Sequence, residues 1–462
     1  MDAMMDIYEA AAGACGEARG ANVTFAAVSS DSRTVGAGAL FVALRGDRFD
    51  GHEYIAAARA RGAVAAMVDR TAPADSGVAP LPLLIVDDTR LGLGRLAAYW
   101  RRKFKLPLIA VTGSNGKTTV KEMIACILAA HAGPECSFAT PGNLNNDIGL
   151  PLTLLGLRAG HFCAVVELGM NHPGETGYLA AIAQPTVALV NNAQREHQEF
   201  MQSVEAVARE HGAVFSALPS DGVAVINADD AYAGYWRRVC APRRVLDFGI
   251  ERPAAVGGRF ELRDFCSDIV LRTPEGEVPL SLQAAGVHNV RNALAAAAAA
   301  AAAGVGLAAI ARGLAGFKPV QGRLQQFVGE DGLIVIDDTY NANPDSVIAA
   351  IEVLARAPGR KFLVLGDMGE VGASGAALHA EIGRRARAAN IDRLFLLGEL
   401  STHAAAAFGA GAEYYTDIDA LLATLAPELR AGATVLVKGS RFMRMERVVR
   451  ALASQARTGT GH

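Results

Sequence analysis

Residues 107–131 read PLIAVTGSNGKTTVKEMIACILAAH, and they decide the fold class. The run LIAVT has the length and apolar content of a buried strand, a glycine turn follows it, and an amphipathic helix pattern then begins. A strand that is apolar throughout, fed directly into a helix, belongs to a mostly parallel sheet covered by helices, so the chain is read as α/β.

The turn itself, Gly113-Ser114-Asn115-Gly116-Lys117-Thr118-Thr119, carries the chemistry of a polyphosphate site. Its glycines let backbone N–H groups approach an anion, and the helix N-terminus adds partial positive charge. Lys117 is placed to meet β- and γ-phosphates and the Thr118 hydroxyl to bind Mg²⁺. Val111 stands where the generic pattern has its first glycine, so the match lies in the G-K-T half. The turn is therefore read as an ATP or GTP site, against the competing reading of a chance glycine turn capped by lysine. Mg²⁺ takes oxygen ligands, commonly one or two carboxylates beside substrate phosphates. Glu167 ends the strand pattern CAVVE, where ligands collect in open parallel sheets, and is expected to be a metal ligand. His197 follows the strand TVALVNN; its spacing fits a metal ligand or a hydrogen-bonding loop histidine equally.

Outward from this loop the chain divides in three. A length of 462 residues suits two to four domains. Residues 1–105 hold short β-rich runs at 22–28, 39–44, 63–68 and 83–86 and form a small α/β domain. Residues 106–316 alternate strands (162–169, 186–192, 222–227) with helices, then change texture between about 240 and 285, where three runs predict an antiparallel insertion. Residues 317–462 resume the alternation and predict a second, Rossmann-like unit. Lys and Arg number 44 against 47 Asp and Glu, so no overall field draws the chain to nucleic acid, and small-molecule partners are expected. Six scattered cysteines without metal-ligand spacing fit a reducing cytoplasm. The start lacks a secretory pattern, and the alanine block 293–303 reads as a closely packed soluble helix rather than a membrane span.

The departure at Val111 is informative, because T-G-S-N-G-K-T resembles the T-G-T-N-G-K-T loop of the Mur ligases and the related folylpolyglutamate synthetases. The resemblance covers nearly the whole chain. It includes Asp31-Ser32-Arg33 with the following 36–52 stretch, Gly142-Asn143-Leu144-Asn145-Asn146, Glu167-Leu168-Gly169, the stretch Gly286 to Asn292, and Gly322-Arg323. Residues 337–346, DDTYNANPDS, resemble the signature of the family members that add D-alanyl-D-alanine, and no D-N-P-R stretch of the diaminopimelate-adding relatives is found.

What the resemblance implies is a monomeric, cytoplasmic three-domain enzyme that adds D-alanyl-D-alanine to a UDP-N-acetylmuramoyl tripeptide, using ATP and Mg²⁺. It implies Lys117 and Thr118 on the phosphates and Mg²⁺, and Glu167 and His197 as metal ligands. Asn289 and Asn292 would sit near adenine, with Arg323 and Asp338 on phosphate and ribose. Ser32 and Arg33 would lie near the uridine diphosphate, Asn145 and Asn146 near the muramoyl group, and Tyr340, Asn341 and Asn343 at the dipeptide site. In many relatives a CO₂-carbamylated lysine helps hold a second Mg²⁺. Here the matching run is 207–214, VAREHGAV, and His211 takes that position. Three outcomes stay open: His211 binds the metal or orients a water, Glu210 substitutes, or the second metal is held more weakly. The alternatives in function are a sister ligase or folylpolyglutamate synthetase, a P-loop switch or motor, and a non-catalytic UDP-sugar binder.

Overall fold

The computed structural model describes residues 3–46, 48–71, 81–329, 332–429 and 431–458; Asp47, within the 36–52 stretch, lies outside them. Three large sheets, of five, six and six strands, carry most of the described residues. The first has five strands in the order Glu17–Arg19, Leu83–Val86, Ala65–Asp69, Ala39–Val42, Ala27–Ser29, parallel except for the first. The expected single strand over 22–28 is divided between two sheets. Thr24–Phe25 pairs antiparallel with Met5–Asp6, while Ala27–Ser29 joins the main sheet. Phe25 is buried on one side of that break, and Ala26 donates its N–H to the Gly38 carbonyl.

The central sheet is wholly parallel, in the order Ser137–Ala139, Cys163–Glu167, Leu108–Thr112, Val187–Val190, Val223–Asn227, Arg244–Phe248. Leu108–Thr112 comes first in this unit and sits inside the sheet, with later strands on both sides. The crevice at its carboxyl end is therefore a topological switch point, where α/β sheets bind ligands. The antiparallel insertion is present as Gly257–Leu262, Ser267–Thr273 and Gly276–Leu282. It starts later than expected, because Arg244–Phe248 completes the parallel sheet.

The alanine block lies in helix Val287–Ala302, with Ala293 to Ala300 all buried in the core beneath the central sheet. Alanine leaves no long side chain to hold other elements away, so this helix packs close to helix Lys117–Ala132. Among the described residues no helix is long and apolar enough to cross a membrane.

The last sheet runs Gln325–Val328, Ile334–Asp338, Thr434–Lys438, Lys361–Gly366, Arg393–Leu397, Ala412–Tyr415, parallel except for Gln325–Val328. Both of its edge strands escape sequence reading. Gln325–Val328 and Ala412–Tyr415 are partly exposed and lack the apolar run of a central strand.

Packing separates these units unequally. One apolar cluster runs continuously from Met5 and Leu40 through Trp100 to Leu108 and Trp236, so the first sheet and one face of the central sheet share a core. Helix Thr89–Arg101 seals the join, with Trp100 Nε1 donating to the Leu157 carbonyl at 3.1 Å and Arg101 Nε to Ala183 at 3.1 Å. The last sheet has its own two clusters and meets the central unit chiefly through polar side chains, described next.

Candidate active site

The carboxyl ends of the central and last sheets face one another across a cleft of about 1020 Å³. The phosphate loop forms its floor. Gly113 and Gly116 have φ of +134° and +82°, a region costly for other residues. A Cβ on Gly116 would lie 2.5 Å from Asn292 Oδ1 and 2.8 Å from Asn191 Nδ2, atoms that are bonded to each other at 3.0 Å. Gly116→Ala is expected to destabilise the protein by about 2–4 kcal/mol and to weaken binding of ATP analogues. Urea unfolding beside nucleotide titration checks this, and an unchanged midpoint would contradict it.

Lys117 curls over the loop it follows. Its Nζ donates to the carbonyls of Gly113 at 2.5 Å and Ser114 at 3.2 Å and lies 3.4 Å from Glu196 Oε2. The loop is braced from the neighbouring strand end, where Asn192 Oδ1 accepts from Asn115 N at 2.8 Å and Ser114 Oγ accepts from Gln194 N at 2.9 Å. Thr119 follows on the cleft wall, and Thr118 and Gly113 stand just behind it. The Thr118 hydroxyl accepts from Arg323 Nη2 at 2.8 Å, a bond that joins the phosphate loop to the last unit.

Glu167 is 2 % exposed and faces the cleft. Asn145 Nδ2 donates to its Oε1 at 2.7 Å, and its Oε2 is buried without a partner. A buried carboxylate oxygen left unpaired is costly unless something positive meets it, which fits a cation held between this residue and a nucleotide. Asn146 also lines the cleft, with its Oδ1 accepting from Gly149 N at 2.8 Å. Among the described residues no three His, Cys, Asp or Glu side chains close around one point, so phosphates would complete the ion's coordination. His197 sits at φ +47°, with Nδ1 2.5 Å from Glu370 Oε2 and Nε2 3.8 Å from Glu196 Oε2. The His197 ring beside it holds the Glu370 carboxyl below its ordinary range.

Glu196 was not singled out from the sequence, and it is the most heavily committed acid of the site. It is 5 % exposed. Burial pushes its carboxyl up, but the charge of Lys117, a hydrogen bond from His211 and the nearness of His197 outweigh that and hold it at about 2. His211 is fully buried behind the cleft wall, with Nε2 2.7 Å from Glu196 Oε1 and Nδ1 2.9 Å from Thr112 Oγ1. Both imidazole nitrogens are occupied, which leaves neither for a metal. Glu210 turns away to cap another helix, accepting from Gly174 N at 2.9 Å and Thr176 N at 2.8 Å. The available signal for Glu196 was its place beside His197.

On the far wall, Asn289 and Asn292 bond to each other at 3.2 Å near the start of the alanine-rich helix. The Arg323 guanidinium lies 4.2 Å over the Tyr340 ring. Asp338 Oδ2 accepts from Lys438 Nζ at 2.6 Å, and the same ammonium donates to the Asn341 carbonyl at 2.9 Å. Burial raises the Asp338 carboxyl more than Lys438 lowers it. Asn343 caps helix Pro344–Arg356 and exchanges hydrogen bonds with Asn115 of the phosphate loop at 2.9 and 3.3 Å. Arg195 spans the same gap, binding Asp345 at 2.6 Å and Glu381 at 2.8 Å. Ser32 and Arg33 do not line this cleft; Arg33 is paired to Asp31 in an exposed turn of the first unit.

The Mur ligase middle domain model matches residues 111–300, the Mur ligase glutamate ligase domain model 322–441, and the Mur ligase family catalytic domain model 24–101. The chain belongs to the Mur ligase family. It is 43% identical over 95% of its length to the UDP-N-acetylmuramoyl-tripeptide–D-alanyl-D-alanine ligase of Escherichia coli K12, and 37% identical over 93% to that of Haemophilus influenzae, covering 96% and 94% of those proteins. Crystal structure I of MurF from Acinetobacter baumannii superposes with a TM-score of 0.90 at 33% identity, over 98% of this chain and 99% of that one. MurF of Thermotoga maritima in complex with ADP superposes at 0.81 with 27% identity, over 93% and 98%. This Mur ligase therefore has the three-domain α/β architecture of its relatives, with a phosphate loop at the centre and the last unit bonded across it.

Proposed function

We propose that this Mur ligase spends ATP to join D-alanyl-D-alanine to a UDP-N-acetylmuramoyl tripeptide, making the pentapeptide precursor of peptidoglycan. The observation that carries this reading is the pairing of Asn115 with Asn343. It ties the phosphate loop to the YNANP segment, so the element that resembles the dipeptide-adding signature stands beside the expected phosphates.

A carboxylate is a poor acyl donor, so the tripeptide's terminal carboxylate first takes the γ-phosphoryl group. The D-alanyl amine then attacks the resulting acyl phosphate, loses a proton, and phosphate leaves. Positioning and charge carry most of this, with no enzyme nucleophile. Lys117 swings from its carbonyl partners onto the β- and γ-phosphates, and Arg323 reaches them from the other wall. Asn289 and Asn292 border the adenine, and Asp338, held by Lys438, takes the ribose. Tyr340, Asn341 and Asn343 shape the dipeptide site, Asn145 and Asn146 meet the muramoyl group, and Ser32 and Arg33 meet the uridine diphosphate. Thr118, Glu167 and His197 are the proposed Mg²⁺ ligands. When bound, Mg²⁺ would neutralise charge gathering on the transferring group. We assign residues 1–105 to the UDP-sugar, 106–316 to ATP and 317–462 to closure over both, in a monomeric cytoplasmic enzyme.

The polar seam between central and last units suits opening and closing. Arg195→Ala removes its main ion pairs, so it is expected to raise the KM for ATP about ten-fold and enlarge the radius of gyration in solution scattering. An unchanged KM and radius would show the seam to be inert. The functional reading is tested by offering D-alanyl-D-alanine, meso-diaminopimelate, L-lysine and L-glutamate separately and weighing the product. Only the dipeptide is expected to be ligated, and ligation of a single amino acid instead would make the chain a sister ligase.

A further inference from the structure

We infer that Glu196, held in place by His211, supplies from the polypeptide itself the carboxylate that many relatives obtain by carbamylating a lysine, and that it binds a second divalent cation together with His197. The inference rests on the ATP-dependent ligase reading and adds to it a ligand which the sequence comparison with the family does not assign.

Several independent observations converge. Glu196 lines the cleft and His211 does not, so the side chain at the family's lysine position acts from behind through its neighbour. The chain Thr112 Oγ1, His211, Glu196 Oε1, at 2.9 and 2.7 Å, fixes one carboxylate oxygen and leaves Oε2 toward the cleft, 3.4 Å from Lys117 Nζ and 3.8 Å from His197 Nε2. Once Lys117 moves to a phosphate, that oxygen loses its nearest cation. His197 brings Nε2 to within 3.8 Å of that oxygen, while its Nδ1 lies 2.5 Å from Glu370 Oε2 without an aligned hydrogen bond. A second buried oxygen in the same cleft, Glu167 Oε2, has no partner. Finally, the two lysines that line the cleft, Lys117 and Lys438, are each paired with an acid, Glu196 and Asp338. Carbamate formation needs an uncharged amine, so neither is a ready substitute. A histidine in place of lysine and an acid at 196 thus form one compensating pair.

The test is a Mn²⁺ titration of the full chain saturated with the non-hydrolysable analogue AMP-PNP, with free Mn²⁺ read by electron paramagnetic resonance. Wild type is expected to bind two Mn²⁺ with the same affinities in bicarbonate-free and bicarbonate-containing buffer. Glu196→Gln is expected to hold AMP-PNP and one Mn²⁺ but to bind the second at least about ten-fold more weakly. Glu196→Ala combined with His211→Lys should regain the second Mn²⁺ only in bicarbonate, with a carbamate resonance from ¹³C-bicarbonate. Undiminished binding of two Mn²⁺ by Glu196→Gln would overturn the proposal and leave Glu196 as a partner of Lys117 only. A bicarbonate requirement in wild type would overturn it without any variant. Failure of wild type to bind AMP-PNP at all would instead remove the ligase reading on which the proposal rests.

Discussion

Lys117→Ala lowers turnover by roughly a thousand-fold while the protein stays folded, because the charge it removes is one the reaction needs and the core does not. In the structure the ammonium is bound to two loop carbonyls and to Glu196, polar groups of the loop and the cleft wall. Its loss leaves Glu196 still bonded to His211, which limits the cost of the unpaired acid. On the phosphates the same ammonium offsets negative charge that moves toward the γ-group as the bond to the leaving diphosphate lengthens, and alanine offers nothing in return. Steady-state kinetics with a thermal melt separates the two effects. Near-normal turnover would mean that the loop is not where phosphoryl transfer occurs.

Lys438→Ala has the largest expected effect on stability. Lys438 is buried at the end of strand Thr434–Lys438, and its Nζ is the cation facing Asp338. Removing one member of a buried ion pair strands the other, at a cost of about 3–5 kcal/mol. Burial already raises the Asp338 carboxyl, and without the ammonium it rises further. An acid whose folded pKa lies above its unfolded value loses stability as pH climbs through that interval. The deficit of the variant relative to wild type should therefore be greatest near neutrality and shrink as the pH falls. Lys438→Met with Asp338→Leu should recover most of the loss, since neither charge is then left alone. Urea unfolding at several pH values checks this, and a deficit below about 1 kcal/mol at neutrality would show that water reaches Asp338.

The phosphate loop and the alternation around it were legible because their chemistry is local. Gly113, Gly116, Lys117 and Thr118 lie within six residues of one another, and the strand before them is buried at every position. The parts that stayed hidden depend on distant partners. Glu196 acquires its setting from His211 and from Thr112, and nothing in the run QREHQEF marks the acid as buried. Arg195 is a surface residue by composition and becomes a clamp only because helix Pro344–Arg356 brings Asp345 against it. The run over 22–28 reads as one strand because it is rich in β-forming residues, whereas the break at Ala26 accompanies a hydrogen bond from its N–H to the distant Gly38 carbonyl. Ser32 and Arg33 carry a recognisable pattern, yet neither lines the cleft.

The central claim, an ATP-driven ligation, is tested most directly by phosphate release from ATP with Mg²⁺, UDP-N-acetylmuramoyl tripeptide and D-alanyl-D-alanine, each omitted in turn, with the product weighed. Release is expected only when all are present, accompanied by one pentapeptide product for each phosphate. Release without an acceptor, or with no mass gained by the tripeptide, would contradict that claim.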